Sequence, residues 1–279
     1  MISKMFARLL KGFSMNTNDQ TFQKFYSKYY DLVYKKKNYT FECKRIESFL
    51  RYKEDVKHLL EIGCGTCSHS ILLSKKGFNI LCVDNSSEMI KVAKEKIKRK
   101  KVKNITLLNQ EAEKLFTVTK KKFDALLLLF NVIGYIKDLD LFLFNIKRNL
   151  KKNSLLIFDF WHEGGIKHAG PKKEIKKFNL RELELQRNSF GRKIIKDHAI
   201  KIDIETSIFK RGKFVKRFSE VHLVKYFNLN KLKEIIEKNN FELIKFEDFN
   251  EENILPKKNS WNAYCVARFL GLKNQTGSL

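Results

Sequence analysis

Two carboxylates and two glycines, set around a change from strand to helix, are the residues of this chain best placed to hold a ligand. In HLLEIGCGTCSHSILLSKKGFNILCVDNSSEMIKVAKEKI, residues 58 to 97, Leu59, Leu60 and Ile62 read as a short apolar strand that Gly63-Cys64-Gly65 interrupts. Glycine has no Cβ, so the backbone can turn sharply there and lie close to a ligand. Ile71, Leu72 and Leu73 predict the apolar side of a following helix, which Gly77 ends. Ile80, Leu81, Cys82 and Val83 form a second buried strand with Asp84 at its tip, where a carboxylate accepts hydrogen bonds from both hydroxyls of a ribose. That order of elements predicts a pocket for a nucleoside.

Charge selects among nucleoside cofactors. The third glycine of a dinucleotide fingerprint would fall at Ser68. Glu61, two residues before Gly63, would repel a pyrophosphate but meets the cationic amino group of a methionine moiety. S-adenosyl-L-methionine is therefore favoured over NAD. At these residues the chain resembles the class I S-adenosylmethionine-dependent methyltransferases, whose first motif commonly reads E/D-h-G-C-G-T-G against EIGCGTC here. Cys67 stands at that motif's last glycine.

The resemblance runs over about residues 22 to 269. NQEAEKL at 109 to 115 is similar to the family's G-D-A-E-x-L segment, which implies Glu111 beside the adenine amino group and the Ala112 backbone amide next to it. Asn85, Met89 and Phe130 complete the implied nucleoside contacts, as do Gly63, Cys64 and Gly65 in the turn. FDALLLLFNVIGYI (123 to 136) and NLKKNSLLIFDFW (149 to 161) resemble the fourth strand with its loop and the fifth strand. YSKYYDLVY (26 to 34) resembles the tyrosine-rich N-terminal helix of small-molecule methyltransferases, so Tyr26 and Tyr30 are the candidates to reach the cofactor carboxylate. EVHLVKYFN (220 to 228) resembles an E-x-H-x-x-R-Y-F segment of enzymes that methylate amino-sugar nucleotides, with Lys225 for the arginine.

A sulfonium methyl is already activated, so its transfer needs mainly in-line alignment, and no Ser-His-Asp or paired-carboxylate constellation is required. An amine acceptor must be neutral, which makes a nearby base useful. His162, just past the fifth strand, and His222 are the candidates, the standing alternative for each being a surface or hydrogen-bonding role. Asn131 and Tyr135, after the fourth strand, are candidates to orient the acceptor or narrow the methyl channel, and Trp161 to wall it.

The elements that must position these residues follow from periodicity. Residues 21 to 53 read as two helices, one striped with Phe22, Phe25, Tyr26 and Tyr29, the other lined by Phe41, Ile46, Phe49 and Leu50. Strands near 57 to 62, 79 to 84, 104 to 109, 123 to 130 and 154 to 160 alternate with helices. Met89, Ala93 and Ile97 give the helix after Asp84 its buried face. The alternation predicts an α/β fold, a doubly wound parallel sheet with helices on both faces. The resemblance makes it a mainly parallel seven-stranded, Rossmann-like sheet, closed by a helix at 229 to 240 and an antiparallel pair at 241 to 248 and 261 to 269. Period-two stretches from Ile194 to Ile208 and Phe214 to Phe227, joined by a hairpin at Arg211-Gly212-Lys213, predict an antiparallel β excursion near the acceptor site. The expected divisions are an N-terminal extension (1–20), a helical cap (21–56), the core (57–161 and 228–270) and an antiparallel substrate-side insertion (162–227).

Composition bounds the partners. A net charge of +26, from 57 Lys and Arg against 31 Asp and Glu, raises nucleic acid as a partner. The lysines gather at element ends without aromatic interleaving, and FNVIGY after the fourth strand lacks N/D-P-P-Y and the Pro-Cys nucleophile of base methylation. Nucleic acid is thus disfavoured, and a small-molecule acceptor is expected, an anionic nucleotide sugar being the finer expectation. A homodimer is compatible with these features. Five scattered cysteines suggest reduced thiols in a cytoplasmic protein, with Cys64 and Cys67 as turn residues and no metal expected. The longest apolar run, Ala125 to Phe130, has strand length, far short of the roughly 18 residues of a membrane span. MISKMFARLLKGFSM at the start reads as a loosely docked extension, a targeting arm or a stretch ahead of a start at Met15.

Overall fold

A computed structural model describes residues 24 to 272; the expected N-terminal extension and Phe22 lie outside the described residues. Helices α1 (Lys24–Val33) and α2 (Tyr39–Leu50) come first, α2 capped by Asn38, whose side chain accepts from the Phe41 N–H. Strand and helix then alternate through β1 (His58–Ile62), α3 (Ser68–Ser74), β2 (Asn79–Asp84), α4 (Ser87–Arg99), β3 (Ile105–Asn109), α5 (Leu115–Val118), β4 (Phe123–Leu128), α6 (Leu139–Ile146) and β5 (Leu150–Trp161). A short helix α7 (Glu163–Ala169) leads into β6 (Lys173–Leu180), β7 (Leu183–Ile194), β8 (Ala199–Lys210) and β9 (Lys213–Lys225). Helix α8 (Leu229–Lys238) returns the chain to β10 (Phe241–Asp248) and β11 (Asn262–Phe269).

One sheet has seven strands in the order β10-β11-β5-β4-β1-β2-β3, parallel except around β11. This is the expected doubly wound, Rossmann-like sheet, with its switch in strand order between β1 and β4. Alternation along the central strands sorts the core onto two faces. Leu60, Ile62, Leu126, Leu128, Leu156 and Phe158 pack with Phe142 and Ile146 of α6 and with Leu232 and Ile236 of α8. Leu59, Ala125, Leu127, Leu155 and Ile157 face the other way, onto Ile46 and Phe49 of α2, Ile71 and Leu73 of α3, and Ala93 of α4. A fully buried side chain of this kind is worth about 1.5 to 3 kcal/mol, so the double-sided apolar face is what fixes the sheet.

The second sheet is an antiparallel meander, β6-β7-β8-β9. Its last hairpin turns at Arg211 and Gly212, both at positive φ (49° and 74°), the backbone that matches strand twist in a two-residue turn. Ile200, Thr206 and Ile208 of β8 are buried on one face, as the alternation requires. The first two strands, β6 and β7, were not expected, because β6 is almost wholly exposed and so has no apolar face to signal it. Ile195, expected in the alternating stretch, instead stands 80% exposed in the turn between β7 and β8. No helix among the described residues is long and apolar enough to cross a membrane.

Candidate active site

A cavity of about 1740 Å³ opens at the carboxyl ends of β1, β2, β3 and β4, where the strand order switches, and extends to the antiparallel sheet. Gly63 and Gly65 both have positive φ (67° and 52°). A Cβ on Gly63 would meet Val132 Cγ2 at 2.6 Å, so the turn is packed against the loop after β4. A Cβ on Gly65 would meet nothing within 4 Å; it would project into the space where a ligand approaches. The Gly65 N–H donates to Asp84 Oδ2 at 2.7 Å, and the Ser86 N–H donates to Oδ1 at 2.9 Å. A carboxylate has about four acceptor positions, so Asp84 keeps capacity for two hydroxyls. Burial raises its pKa, against the pull of the Ser86 and Gly65 amides.

Glu61 lies deeper, 2% exposed, at the floor of the same cavity. Burial pushes its carboxyl up to about 8, the neighbouring Cys67 adds to the rise, and the hydrogen bond donated by Ser70 Oγ opposes it. Behind Glu61 runs a chain of polar groups that sequence reasoning did not find. His69 Nδ1 is 3.9 Å from Glu61 Oε1, His69 Nε2 is 2.8 Å from Glu42 Oε2, and Lys37 pairs with Glu42. Burial lowers the His69 pKa despite the Glu42 contact. A lone histidine four residues after Gly65 carries no local signal of this partnership; it arises from the packing of α2 on α3.

The remaining nucleoside candidates line the cavity from successive strand ends: Asn85 and Met89 beyond β2, Glu111 and Ala112 beyond β3, Phe130 beyond β4, and Cys64 in the turn. Met89 is 2% exposed and leads the buried face of α4. Tyr26 and Tyr30 come from α1, which lies over the opening. Tyr26 Oη donates to Tyr34 Oη at 3.1 Å, and Tyr34 sits edge-on to Phe130 at 5.0 Å between ring centres. Helix α1 is latched to the glycine turn: Lys96 Nζ contacts Asp31 at 2.8 Å and donates to Ser68 Oγ at 2.8 Å, while Thr66 Oγ1 donates to Asp31 Oδ1 at 2.6 Å.

The loop after β4 holds two consecutive non-glycine residues at positive φ, Phe130 (66°) and Asn131 (57°). The buried Asp159 carboxylate stabilises that backbone by accepting both of their N–H groups. Burial pushes Asp159 up to about 7, the nearby Lys37 acting against the rise. Asn131, expected to orient the acceptor, has its Oδ1 occupied by the Trp161 N–H at 3.1 Å, so it also braces the loop against β5.

The two candidate bases separate. His222, on β9, lines the cavity 4% exposed; its Nδ1 is hydrogen-bonded to Tyr135 Oη at 2.9 Å, and its Nε2 lies 3.9 Å from Glu220 Oε2. His162 does not line the cavity, which corrects its expected placement. Strand alternation sends Trp161 to the cavity and the next residue away from it, and His162 Nδ1 meets the Ser260 carbonyl at 3.1 Å. Lys225 Nζ donates to the Ile136 and Lys137 carbonyls, tying β9 to the loop that carries Tyr135.

A family model for a methyltransferase domain matches residues 53–213. The ubiquinone biosynthesis O-methyltransferase of Pelagibacter ubique (strain HTCC1062) is 32% identical over 99 residues, 35% of this chain and 39% of that protein. The chain spans about two fifths of the length of the curated relatives it matches. Among solved structures, an S-adenosylmethionine-dependent methyltransferase from Clostridium acetobutylicum ATCC 824 superposes with a TM-score of 0.70 at 20% identity, covering 87% of this chain and 96% of that one. The sugar N-methyltransferase KedS8 from Streptoalloteichus sp ATCC 53650 superposes with a TM-score of 0.72 at 15% identity, covering 91% and 97%. Those superpositions carry the fold, and the domain match extends over the glycine turn, Asp84 and the loop after β4. The chain belongs to the methyltransferase domain family and has the Rossmann-like fold of the S-adenosylmethionine-dependent methyltransferases it superposes on.

Proposed function

We propose that this protein transfers a methyl group to the amine of a small anionic acceptor, of the nucleotide-linked amino-sugar kind, by direct displacement. The observation that carries the reading is one continuous cavity with a nucleoside-holding wall at Gly65 and Asp84 and a wall bearing Tyr135, His222 and Arg187. Bound S-adenosyl-L-methionine would supply an activated sulfonium methyl. The residues present fit that group: Gly65 offers a cradle without a Cβ, Asp84 retains acceptor capacity for ribose hydroxyls, and Glu61 suits a cationic amino group. Tyr26 and Tyr30 would close over this end, and Asn85, Met89, Glu111, Ala112 and Phe130, which line the cavity, would flank the base.

Residues 57–161 and 228–270 serve in this reading as the cofactor-binding core, 21–56 as its cap and 162–227 as the acceptor side. His222 takes the proton of the acceptor amine, oriented by Tyr135 on one nitrogen and faced by Glu220 on the other. Arg187 and Lys172 line the acceptor end and supply positive charge for an anionic group, whereas Lys176 is paired with Glu174 at 2.7 Å. The fold likeness to KedS8, itself a sugar N-methyltransferase, supports the amine reading. Radiolabelled methyl transfer to a panel of amino-sugar nucleotides, free amino sugars and hydroxylated analogues tests it. Transfer to nucleotide-linked amines is expected; activity confined to phenolic or alcoholic hydroxyls would replace the amine with an oxygen acceptor.

A further inference from the structure

Three of the five cysteines meet behind the glycine turn. Cys64 and Cys67 bracket a tight turn in which the Cys67 N–H donates to the Cys64 carbonyl at 2.9 Å, and the Cys64 N–H donates to Val83, next to Cys82 on β2, at 3.1 Å. These two links bring a C-x-x-C loop and a third thiol from the adjoining strand to one point. The three Sγ atoms lie within 4.8 Å of one another, and all three residues are buried. By contrast, Cys43 and Cys265 stand outside the group.

Cys67 has φ 60° and ψ 36°, left-handed backbone that glycine adopts at ease and a residue with a Cβ adopts at a cost. The methyltransferase motif it resembles has glycine there. A thiol held in that conformation, aimed at two other thiols, is arranged as a ligand set rather than as a turn filler. A d10 ion with metal–sulfur bonds of about 2.3 Å places its sulfurs just under ~4 Å apart, so the three side chains need close by no more than about 1 Å. Ser70 Oγ, 3.0 Å from Cys82 Sγ, stands by as an oxygen donor.

We propose that Cys64, Cys67 and Cys82 form a binding site for one thiophilic d10 metal ion, zinc(II) or copper(I), at the back of the glycine turn. The ion enters from the cavity, which Cys64 lines. Three sulfur–metal bonds form as the thiols give up their protons to solvent; no electrons are transferred. The centre carries one net negative charge with zinc(II) and two with copper(I), and Lys96, which donates to Ser68 Oγ beside Cys67, is a compensating cation at the turn. Bound there, the ion cross-links the turn to β2 and so fixes the Gly65 amide that holds Asp84.

The full-length chain, fully reduced with a phosphine under anaerobic conditions, is titrated with cobalt(II), zinc(II) and copper(I), the last two against chromophoric chelators. One equivalent of cobalt(II) with strong thiolate-to-metal charge-transfer absorption, displaced by zinc(II) or by copper(I), is expected; which ion displaces it at the lower free concentration identifies the occupant. Cys67→Gly and Cys82→Ala should lose that absorption and the stoichiometric uptake, while Cys43→Ala should keep both. Cys67→Gly is the informative variant, since glycine suits the backbone at that position and a thermal melt verifies its fold. Failure of reduced wild-type protein to take up an equivalent of any of these ions, or uptake that survives both Cys67→Gly and Cys82→Ala, overturns the proposal.

Discussion

Glu61 and Asp84 stand at the tips of neighbouring strands, and their protonation and lone pairs set how a methyl donor binds. A cationic amino group needs Glu61 ionised, yet burial pushes its carboxyl up to about 8. The donor's own α-amino group loses its proton near pH ~8. Affinity for S-adenosyl-L-methionine is therefore expected to rise about tenfold per pH unit below ~8 and to fall above it. Calorimetric titrations across that range check the profile, and Glu61→Gln should flatten its acid limb. For folding the sign is reversed: the folded-state value lies above the ordinary 4.5, so stability should fall as pH rises from 4.5 to about 8. Asp84→Ala should weaken cofactor binding by about 1 to 3 kcal/mol, through lost hydroxyl contacts and a loosened Gly65 amide. Unchanged binding would remove Asp84 from the pocket's function. His222→Ala is expected to lower kcat by about 10²-fold or more, whereas His162→Ala, with its ring on the Ser260 carbonyl, should alter stability rather than turnover.

At the scale of elements, the cap is fastened by a residue that no motif announced. Arg45, 1% exposed on α2, pairs with Glu247 and donates to the Asp248 and Phe249 carbonyls at 3.0 and 3.3 Å. Its guanidinium lies between Phe41, Phe49 and Tyr264, at 5.4 to 5.7 Å from each ring centre. Arg45→Ala leaves Glu247 buried with Lys245 as its remaining ionic partner, and should cost about 3 kcal/mol or more in urea unfolding. Strands β1 to β5 were legible because each is an apolar run bounded by turn residues and followed by a helical period. The helices α1, α2, α4 and α8 were legible from their aromatic or apolar stripes. Strands β6 and β7 were not, since β6 is almost wholly exposed and the mostly half-buried side chains of β7 carry no regular period-two contrast.

Across the whole molecule the net charge of +26 is distributed rather than focused. Many lysines stand in exposed pairs, such as Lys114 with Glu111 at 2.8 Å and Lys257 with Glu251 at 2.9 Å, which contribute little to stability. Binding to duplex DNA or RNA at physiological salt is expected to be sequence-independent and steeply weakened by added salt. Tight, sequence-selective binding in a filter or anisotropy assay would instead favour a nucleic-acid acceptor.

The sequence by itself determined the order of strands and helices in the seven-stranded sheet, the glycine turn and the acids that flank it. Those features rest on neighbours within one or two turns of chain, where period and residue type speak directly. The tertiary structure decided the rest: that His222 faces the cavity and His162 does not, that Asp159 holds the Phe130–Asn131 backbone from 28 and 29 residues away, and that His69 meets Glu42 across 27 residues. It also brought Cys82 to Cys64 and Cys67. A single residue of strand phase reverses which side a side chain takes, and hydrogen-bond partners from separate elements meet only once both faces of the sheet are packed. Local pattern could not supply either.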